Sequence, residues 1–443
     1  MSAVDRAWLL MERPTNPMMI VGLIVVDGAV DCARLRELVS ERFLAFDRFR
    51  CRPVEDALGT SWVPQAQFDL SDHVVRLALP APAGQRELET LVGELASTQL
   101  SAQRPLWSFH LVENYRGGSA IIVRIHHCYA DGIALVRVLL SLADTGAKHR
   151  PPAVSAPARA SLADIVARTI GETASLVEKG LHYALHPGEA AGLAGELAHI
   201  AMLPDDPPTC LKGELTGVRR VAWSEPSPLD EVRTIGRVLG CTINDLLVAT
   251  LAGALGRYLE SRGDAVAGVT IRAAVPVNLR PADDTQLVLG NRFGLVFLEL
   301  PVGIRHPLER LYSVRAMMQK LKGSPQALIT LGLLAVIGTL PAVEGPVMDV
   351  FSAKASLVAS NVPGPQQQLY FAGVPISQTL FWVPQAGSIG VGVGMLTYNG
   401  GVQFGVMSDR ALIPEPDVLV RMMGEELERL VLLLLLGAGT LGG

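Results

Sequence analysis

Seven consecutive residues carry the densest chemistry in the chain: His126-His127-Cys128-Tyr129-Ala130-Asp131-Gly132, set between the apolar run Ile121 to Ile125 and the helical run Ile133 to Ala143. A histidine pair, a carboxylate four positions after the second histidine and a glycine in a loop between rigid elements suit acid–base work. Histidine fits a reaction in which a proton is removed and later returned near neutral pH, since its unperturbed pKa is about 6.5. Successive strand residues point to opposite faces, so both histidines cannot enter one pocket if the strand runs through them. One is then a base and the other structural.

Other chemistries find little support. There is no GxSxG nucleophile elbow; the nearest stretch, Ala386-Gly-Ser388-Ile-Gly390, has alanine in place of the first glycine. His73, His110, His149, His182, His186, His199 and His306 lack HExxH or equivalent spacing, and no metal is expected. No GxxxxGK[ST] loop is present, and Gly390-Val-Gly392-Val-Gly394 lacks the spacing of a dinucleotide fingerprint. No cofactor is called for. The five cysteines are scattered and without a CxxC pair, which argues against a disulfide framework or zinc.

The elements that must position the loop are legible in outline. With 443 residues, two domains are expected rather than one. Proline- and alanine-rich HRPPAVSAPARA at 149–160, then a capped helical pattern from Ser161, then Leu203-Pro-Asp-Asp-Pro-Pro208, divide the chain. The expected units are an N-terminal domain at 1–148, a mostly helical connector at 149–210 and a C-terminal domain at 211–443. Met19 to Asp27 and Ala120 to His126 read as strands and Cys32 to Phe46 as a helix. Further on, Thr242 caps a helix running to Ser261, Thr270 to Val277 and Val296 to Leu300 are strand-like, Pro307 to Lys322 is an amphipathic helix, and 389–396 and 402–407 look like strands. The order is mixed α/β.

Composition bears on partners. Apolar residues make up 49% of the chain and charged ones 18%, which leans toward apolar surfaces or an apolar cavity and makes lipid a candidate partner. The formal net charge of −5 offers no global field for nucleic acid or anionic membranes. The apolar runs Ala327 to Leu340 and Leu430 to Leu441 fall short of a spanning helix. Burial in the core and contact with lipid both remain open for the first; for the second, lipid contact or packing in a homodimer. The opening residues lack the features of a signal peptide, so a cytoplasmic location is expected, with apolar segments that could dip into a membrane interface.

HHxxxDG in this setting resembles the motif of acyl-CoA-dependent acyltransferases built on the chloramphenicol acetyltransferase fold. Within that superfamily the chain is most similar to the bacterial wax ester synthase/diacylglycerol acyltransferases. Ser2 to Gly22, Pro105-Leu106-Trp107, Asn244-Asp245, Pro276 to Arg280, Gly290-Asn291-Arg292, Ser360 to Pro365 and Tyr398-Asn-Gly400 follow in that family's order, so the resemblance spans about 1–425. The chain departs from the pattern at Gly394-Met-Leu-Thr-Tyr-Asn-Gly400, where an Asn-Ile pair often precedes the tyrosine.

The resemblance implies two acetyltransferase-like domains with an active-site tunnel between them. It implies that His127 is the general base and His126 structural, and that Asp131 turns from substrate to pair with an arginine, for which Arg280 is suggested. Gly132 would permit close backbone approach. Cys128 occupies a variable position of the motif. Asn244 and Asn361 are candidate oxyanion donors, although Thr242-xx-Asp245 equally reads as a capping box. Trp107 has a supporting role. The implied reaction is attack of an acceptor hydroxyl on the thioester of a fatty acyl-CoA, with diacylglycerol or a long-chain alcohol as acceptor and no acyl-enzyme. The rivals are acyl transfer to another alcohol or an amine from a carrier-linked donor, and a non-catalytic lipid-binding protein.

Overall fold

The computed structural model describes residues 1–56, 59–146, 198, 200–280 and 289–440. In the first half α1 (Ala3–Leu10) precedes β1 (Met19–Val26), α2 (Cys32–Leu38), the paired strands β2 (Cys51–Asp56) and β3 (Gly59–Pro64), β4 (Val74–Leu77), α3 (Gln85–Ser97), β5 (Trp107–Tyr115), β6 (Gly118–His126), α4 (Gly132–Ser141) and β7 (Ala143–Asp144). The second half opens with β8 (Arg219–Trp223), β9 (Ser227–Pro228), α5 (Leu229–Leu239), α6 (Ile243–Ser261), β10 (Ile271–Asn278) and β11 (Phe293–Leu300). It continues with α7 (Pro307–Leu321), α8 (Gln326–Thr339), α9 (Glu344–Ala353), β12 (Leu357–Pro363), β13 (Tyr370–Phe371), β14 (Val374–Trp382), β15 (Val391–Tyr398), β16 (Gly401–Asp409) and α10 (Pro416–Thr440). The helical pattern expected from Ser161 lies outside the described residues.

The strands form two large mixed sheets, so the fold is mixed α/β with two sheet-containing halves. One runs β4-β5-β6-β1-β14-β13-β7, the other β11-β10-β12-β15-β16-β8. All eight residues of β1 are buried. Its alternate side chains serve two cores: Ile20, Ile24 and Val26 join the cluster under α1 and α4, while Met19, Val21, Leu23 and Val25 join the one against α3. A continuous apolar run is what a strand covered on both faces requires.

The halves are interlocked. β14 comes from the second half yet pairs antiparallel with β1, Val21 opposite Trp382 and Leu23 opposite Leu380, before the chain crosses to β15 in the other sheet. The segment from Leu203 to Pro208 also ties elements together: Asp206 accepts hydrogen bonds from the Arg272 backbone N–H at 2.9 Å and from Ser356 Oγ at 2.5 Å. The expected helix from Cys32 to Phe46 is α-helical only to Leu38 and continues as a wider π turn over Val39–Phe43. On that turn Arg42 is buried and pairs with buried Asp144 at 2.8 Å. The strand expected from Val296 begins three residues earlier, at Phe293, because Gly294 breaks the apolar alternation without breaking the ladder to β10.

Helix α8 packs between the second sheet and α1. It closes the edge of its sheet, where the Leu295 N–H donates to Thr330 Oγ1 at 2.6 Å and the Phe297 N–H to Gln326 Oε1 at 3.2 Å. Gly294 and Gly338 let it approach closely: a Cβ at Gly294 would overlap the Ala327 carbonyl, and one at Gly338 the Ala3 carbonyl of α1. Arg6 of α1 donates to the Gly338 carbonyl at 3.0 Å. Because backbone cannot yield as a flexible side chain can, Gly338→Ala should lower unfolding free energy by about 2 kcal/mol or more, as read by urea denaturation. An unchanged midpoint would show that α1 and α8 can separate freely.

Candidate active site

β6 ends at His126, and the loop after it is tied on every side. The His127 N–H donates to the Met18 carbonyl at 2.8 Å, and the His126 N–H to the Leu106 carbonyl at 2.9 Å. His126 Nε2 meets Glu12 Oε2 at 2.7 Å, and its Nδ1 accepts from the Cys128 N–H at 3.1 Å, which makes Nε2 the protonated nitrogen. Burial pushes the Glu12 carboxyl up, but hydrogen bonds from His126, the Met18 N–H and Gln99 outweigh it and hold the group below its ordinary range. Both nitrogens of His126 are thereby occupied.

His127 is differently placed. Its ring, 3% exposed, stacks on Trp8 with centroids 3.9 Å apart and planes at 22°, and lies 5.5 Å from Phe293. It forms part of the wall of an apolar cavity of about 140 Å³ between the two sheets. Phe293, Leu334, Ile337, Phe351 and Phe381 supply much of the remaining wall. Burial pushes the imidazole pKa down to about 4 against the opposing pull of Asp131. The ring is therefore neutral across the physiological range and able to accept a proton.

Asp131 faces the second half. Its Oδ1 caps α4 by accepting from the Ala134 N–H at 2.9 Å, and its Oδ2 accepts from Arg280 Nη2 at 2.8 Å and from the Arg292 N–H at 2.9 Å. Both ionic side chains are nearly sealed from solvent, at 3% and 4% exposed. The Gly290 carbonyl receives Arg280 as well, at 2.7 Å. Gly132 lines the cavity, but a Cβ there would sit 4.0 Å from Ile20 and Val383, so a methyl fits and the crowding expected of this position is absent.

The remaining candidates divide between wall and support. Asn361 lines the cavity and donates to Asn244 Oδ1 at 2.7 Å, which places Asn244 behind it. Asp245 closes a reciprocal capping box with Thr242, its Oδ2 accepting from the Thr242 N–H at 2.9 Å, and so belongs to the start of α6. Trp107 is buried away from the cavity, stacked on His73 and donating to the Phe49 carbonyl at 2.7 Å. Pro105 is buried, and the Leu106 N–H donates to the Tyr129 hydroxyl at 3.0 Å, so this segment braces the loop from beneath. Burial raises the Cys128 thiol well above its ordinary range, which leaves it un-ionised. Among the described residues no group of three His, Cys, Asp or Glu side chains could hold a metal.

Sequence reasoning gives no individual role to Trp8, Phe293 or Asn291, which touch His127 directly. Trp8 and Asn291 are within its reach, since both lie in segments that carry the resemblance; Phe293 has no signal. The lowered pKa yields a prediction. Acyl transfer should be flat from about pH 8 to about pH 6, with no loss centred on the free-histidine value of 6.5, and decline only toward the His127 value of about 4. A titration of kcat/KM with an acidic limb near 6.5 would count against a buried base.

The family models agree with this architecture. The wax ester synthase/diacylglycerol acyltransferase catalytic domain matches residues 1–247, and the C-terminal domain of that family matches 289–431. A putative diacylglycerol O-acyltransferase of Mycobacterium tuberculosis H37Rv is 31% identical, covering 99% of this chain and 92% of its own. A probable diacylglycerol O-acyltransferase of the same strain is 28% identical over 93% of this chain and 91% of its own. Among solved structures, the wax ester synthase/diacylglycerol acyltransferase of Marinobacter aquaeolei VT8 superimposes with a TM-score of 0.69 at 23% identity, covering 97% of this chain and 98% of that one. The first condensation domain of the calcium-dependent antibiotic synthetase shares the fold at a TM-score of 0.62 and 16% identity, over 97% and 94% of the two chains. With both family domains matched in order on the fold they require, the chain belongs to the wax ester synthase/diacylglycerol acyltransferase family and is an acyl-CoA-dependent acyltransferase.

Proposed function

We propose that this enzyme esterifies diacylglycerol or a long-chain alcohol with a long-chain acyl group from acyl-CoA, with His127 as general base and without an acyl-enzyme or a cofactor. The observation that carries the reading is a neutral imidazole on the wall of an apolar cavity, its neighbouring aspartate turned into Arg280. His127 takes the proton of the acceptor hydroxyl as that oxygen bonds to the thioester carbon. The tetrahedral oxyanion then collapses, the C–S bond breaks, and the imidazolium returns its proton to the CoA sulfur. Asn361, on the cavity wall, is the candidate donor to the oxyanion, held by Asn244.

The test is thiol release from palmitoyl-CoA by the purified protein with hexadecanol, with dioleoylglycerol and with no acceptor. Acceptor-dependent release with ester in the lipid phase supports the reading and ranks the acceptors. No release with either acceptor would overturn it in favour of a carrier-linked donor or a binding role.

The acceptor is to be collected at a lipid surface of the inner membrane or a droplet, from the cytoplasmic side, by the outer face of α8 and α9. The inner face of these helices lines the cavity through Leu334, Ile337 and Phe351, while Leu328, Val336, Leu340 and Val350 are exposed. Among the described residues no single helix is long and apolar enough to cross a membrane. Leu430 and Leu427 of α10 are buried against the second core, which gives the leucine-rich end a packing role at its start. Leu328→Glu with Val336→Glu should reduce co-sedimentation with phosphatidylcholine vesicles by about tenfold, since each glutamate replaces apolar area with a charge. Equal sedimentation of variant and parent would remove this face from consideration.

A further inference from the structure

The cavity has a definite depth, counted from His127 along the second sheet. On one face of β10 and β11 its lining residues stand in cross-strand pairs, Asn278 opposite Phe293, Pro276 opposite Leu295 and Ala274 opposite Phe297. Phe293 is the ring 5.5 Å from His127, so the pairs count outward from the reacting group. Four residues of strand at about 3.3 Å each put Phe297 about 13 Å beyond Phe293. The next residue of β10 on that face is Arg272. Its guanidinium lies 3.4 Å from Asp206 and donates to the Pro204 carbonyl at 2.9 Å, so the apolar wall ends on a buried ion pair. Ile200, 1% exposed, packs in one cluster with Ala274, Phe297, Val358 and Ile389, behind the last pair. The stretch that carries it is fastened: the Leu203 carbonyl accepts from Lys354 Nζ at 2.6 Å, and the Asp206 N–H donates to the Ala353 carbonyl at 2.9 Å.

We infer that Phe297, Ala274 and Ile200 form a stop for an unbranched alkyl chain, which selects, in one of the two substrates, a chain of about ten carbons counted from the reacting carbon. The inference rests on His127 marking where that carbon lies. An extended chain of bonds of about 1.5 Å advances about 1.3 Å per carbon, so about 13 Å of wall matches about ten carbons. The volume points the same way: about 140 Å³ is close to that of a cavity that admits one benzene, so the inner part of one chain fits and two chains do not. A longer chain has to displace a close-packed floor, and the ion pair of Arg272 and Asp206 behind it offers no apolar surface to extend into. The acyl chain of a donor and the alkyl chain of an acceptor present the same chemistry to this wall. The stop is composite, because the sheet supplies its first layer and the stretch from Ile200 to Asp206 holds that layer in place.

The deciding experiment is calorimetric titration of the full chain with two series, 1-alkanols and acyl-CoAs of six to sixteen carbons, each kept below its micellar concentration. In at least one series affinity should rise by about fourfold per carbon, the effect of burying a methylene, and level off at about ten carbons. A break in the acyl-CoA series assigns the chain to the donor, and a break in the alkanol series assigns it to the acceptor. A rise that continues unbroken to sixteen carbons in both series overturns the stop without need of any variant. Phe297→Ala should move the break to longer chains and raise the ratio of kcat/KM for sixteen carbons over ten by about tenfold. Ile200→Ala should act in the same direction, and Ala274→Leu, which adds side chain to the floor, in the opposite one. The ratio compares two chains in one protein, so a general loss of rate or folding cancels. A break that stays in place in both Phe297→Ala and Ala274→Leu overturns the role given to these residues. A break in binding with no ester formed at any length supports the stop and is a separate failure, that of the transfer reading.

Discussion

His127→Ala should lower kcat for transfer from palmitoyl-CoA by at least about 10³-fold at pH 7, because no other side chain among the described residues of the cavity wall is free to take the proton. The alternative acceptors are excluded by position. His126 has both nitrogens engaged, by Glu12 and by the Cys128 N–H, and Asp131 is held by Arg280 and the Arg292 N–H. The loss should be one of rate rather than of folding. His127 brings no side-chain hydrogen bond from its buried Nδ1, so truncation removes packing against Trp8 and little else. His127→Gln keeps more of that packing and should be equally slow. Thiol release measured beside the urea midpoint separates the two effects, and a fall of less than about tenfold in a folded variant would leave the chemistry to another group.

How much of the molecule is legible in the sequence depends on the range of each signal. The loop 126–132 is legible because its residue types are rare together and sit where an apolar run ends. Helix α6 is legible from Thr242 and Asp245, whose spacing is a local hydrogen-bonding device. β14 is not: Val374-Pro-Ile-Ser-Gln-Thr-Leu-Phe-Trp382 begins beside a proline and carries polar residues, and only its long-range partner β1 makes it a central strand. The Asp131–Arg280 pair is suggested by resemblance alone, since 149 positions separate the partners. The cavity itself has no sequence signal beyond a high apolar fraction. Its wall combines residues as distant as Trp8 and Ile389, and the exposed face of α8 differs from its lining face only through packing, as the helix is apolar all round.

The second large effect concerns the frame rather than the base. Asp131→Ala should lower unfolding free energy by about 3–5 kcal/mol, since it leaves the Arg280 guanidinium charged and buried without its carboxylate, with about 1 kcal/mol more from the lost cap of α4. Asp131→Asn should recover little. Its single oxygen can serve Ala134 or the second half but not both, and its NH₂ would face donors from Arg280 and the Arg292 backbone. Replacing both charges, as Asp131→Ala with Arg280→Met, should be less harmful than Asp131→Ala alone, because an apolar pair has no desolvation penalty to offset. Urea unfolding of the wild type, the two single variants and the double variant closes a double-mutant cycle, and additive effects would show that the pair does not join the halves energetically. A positive coupling, with kcat falling in Asp131→Ala even where the protein is fully folded, would locate the cost where the structure puts it: in the seam that holds the His127 loop between the two sheets.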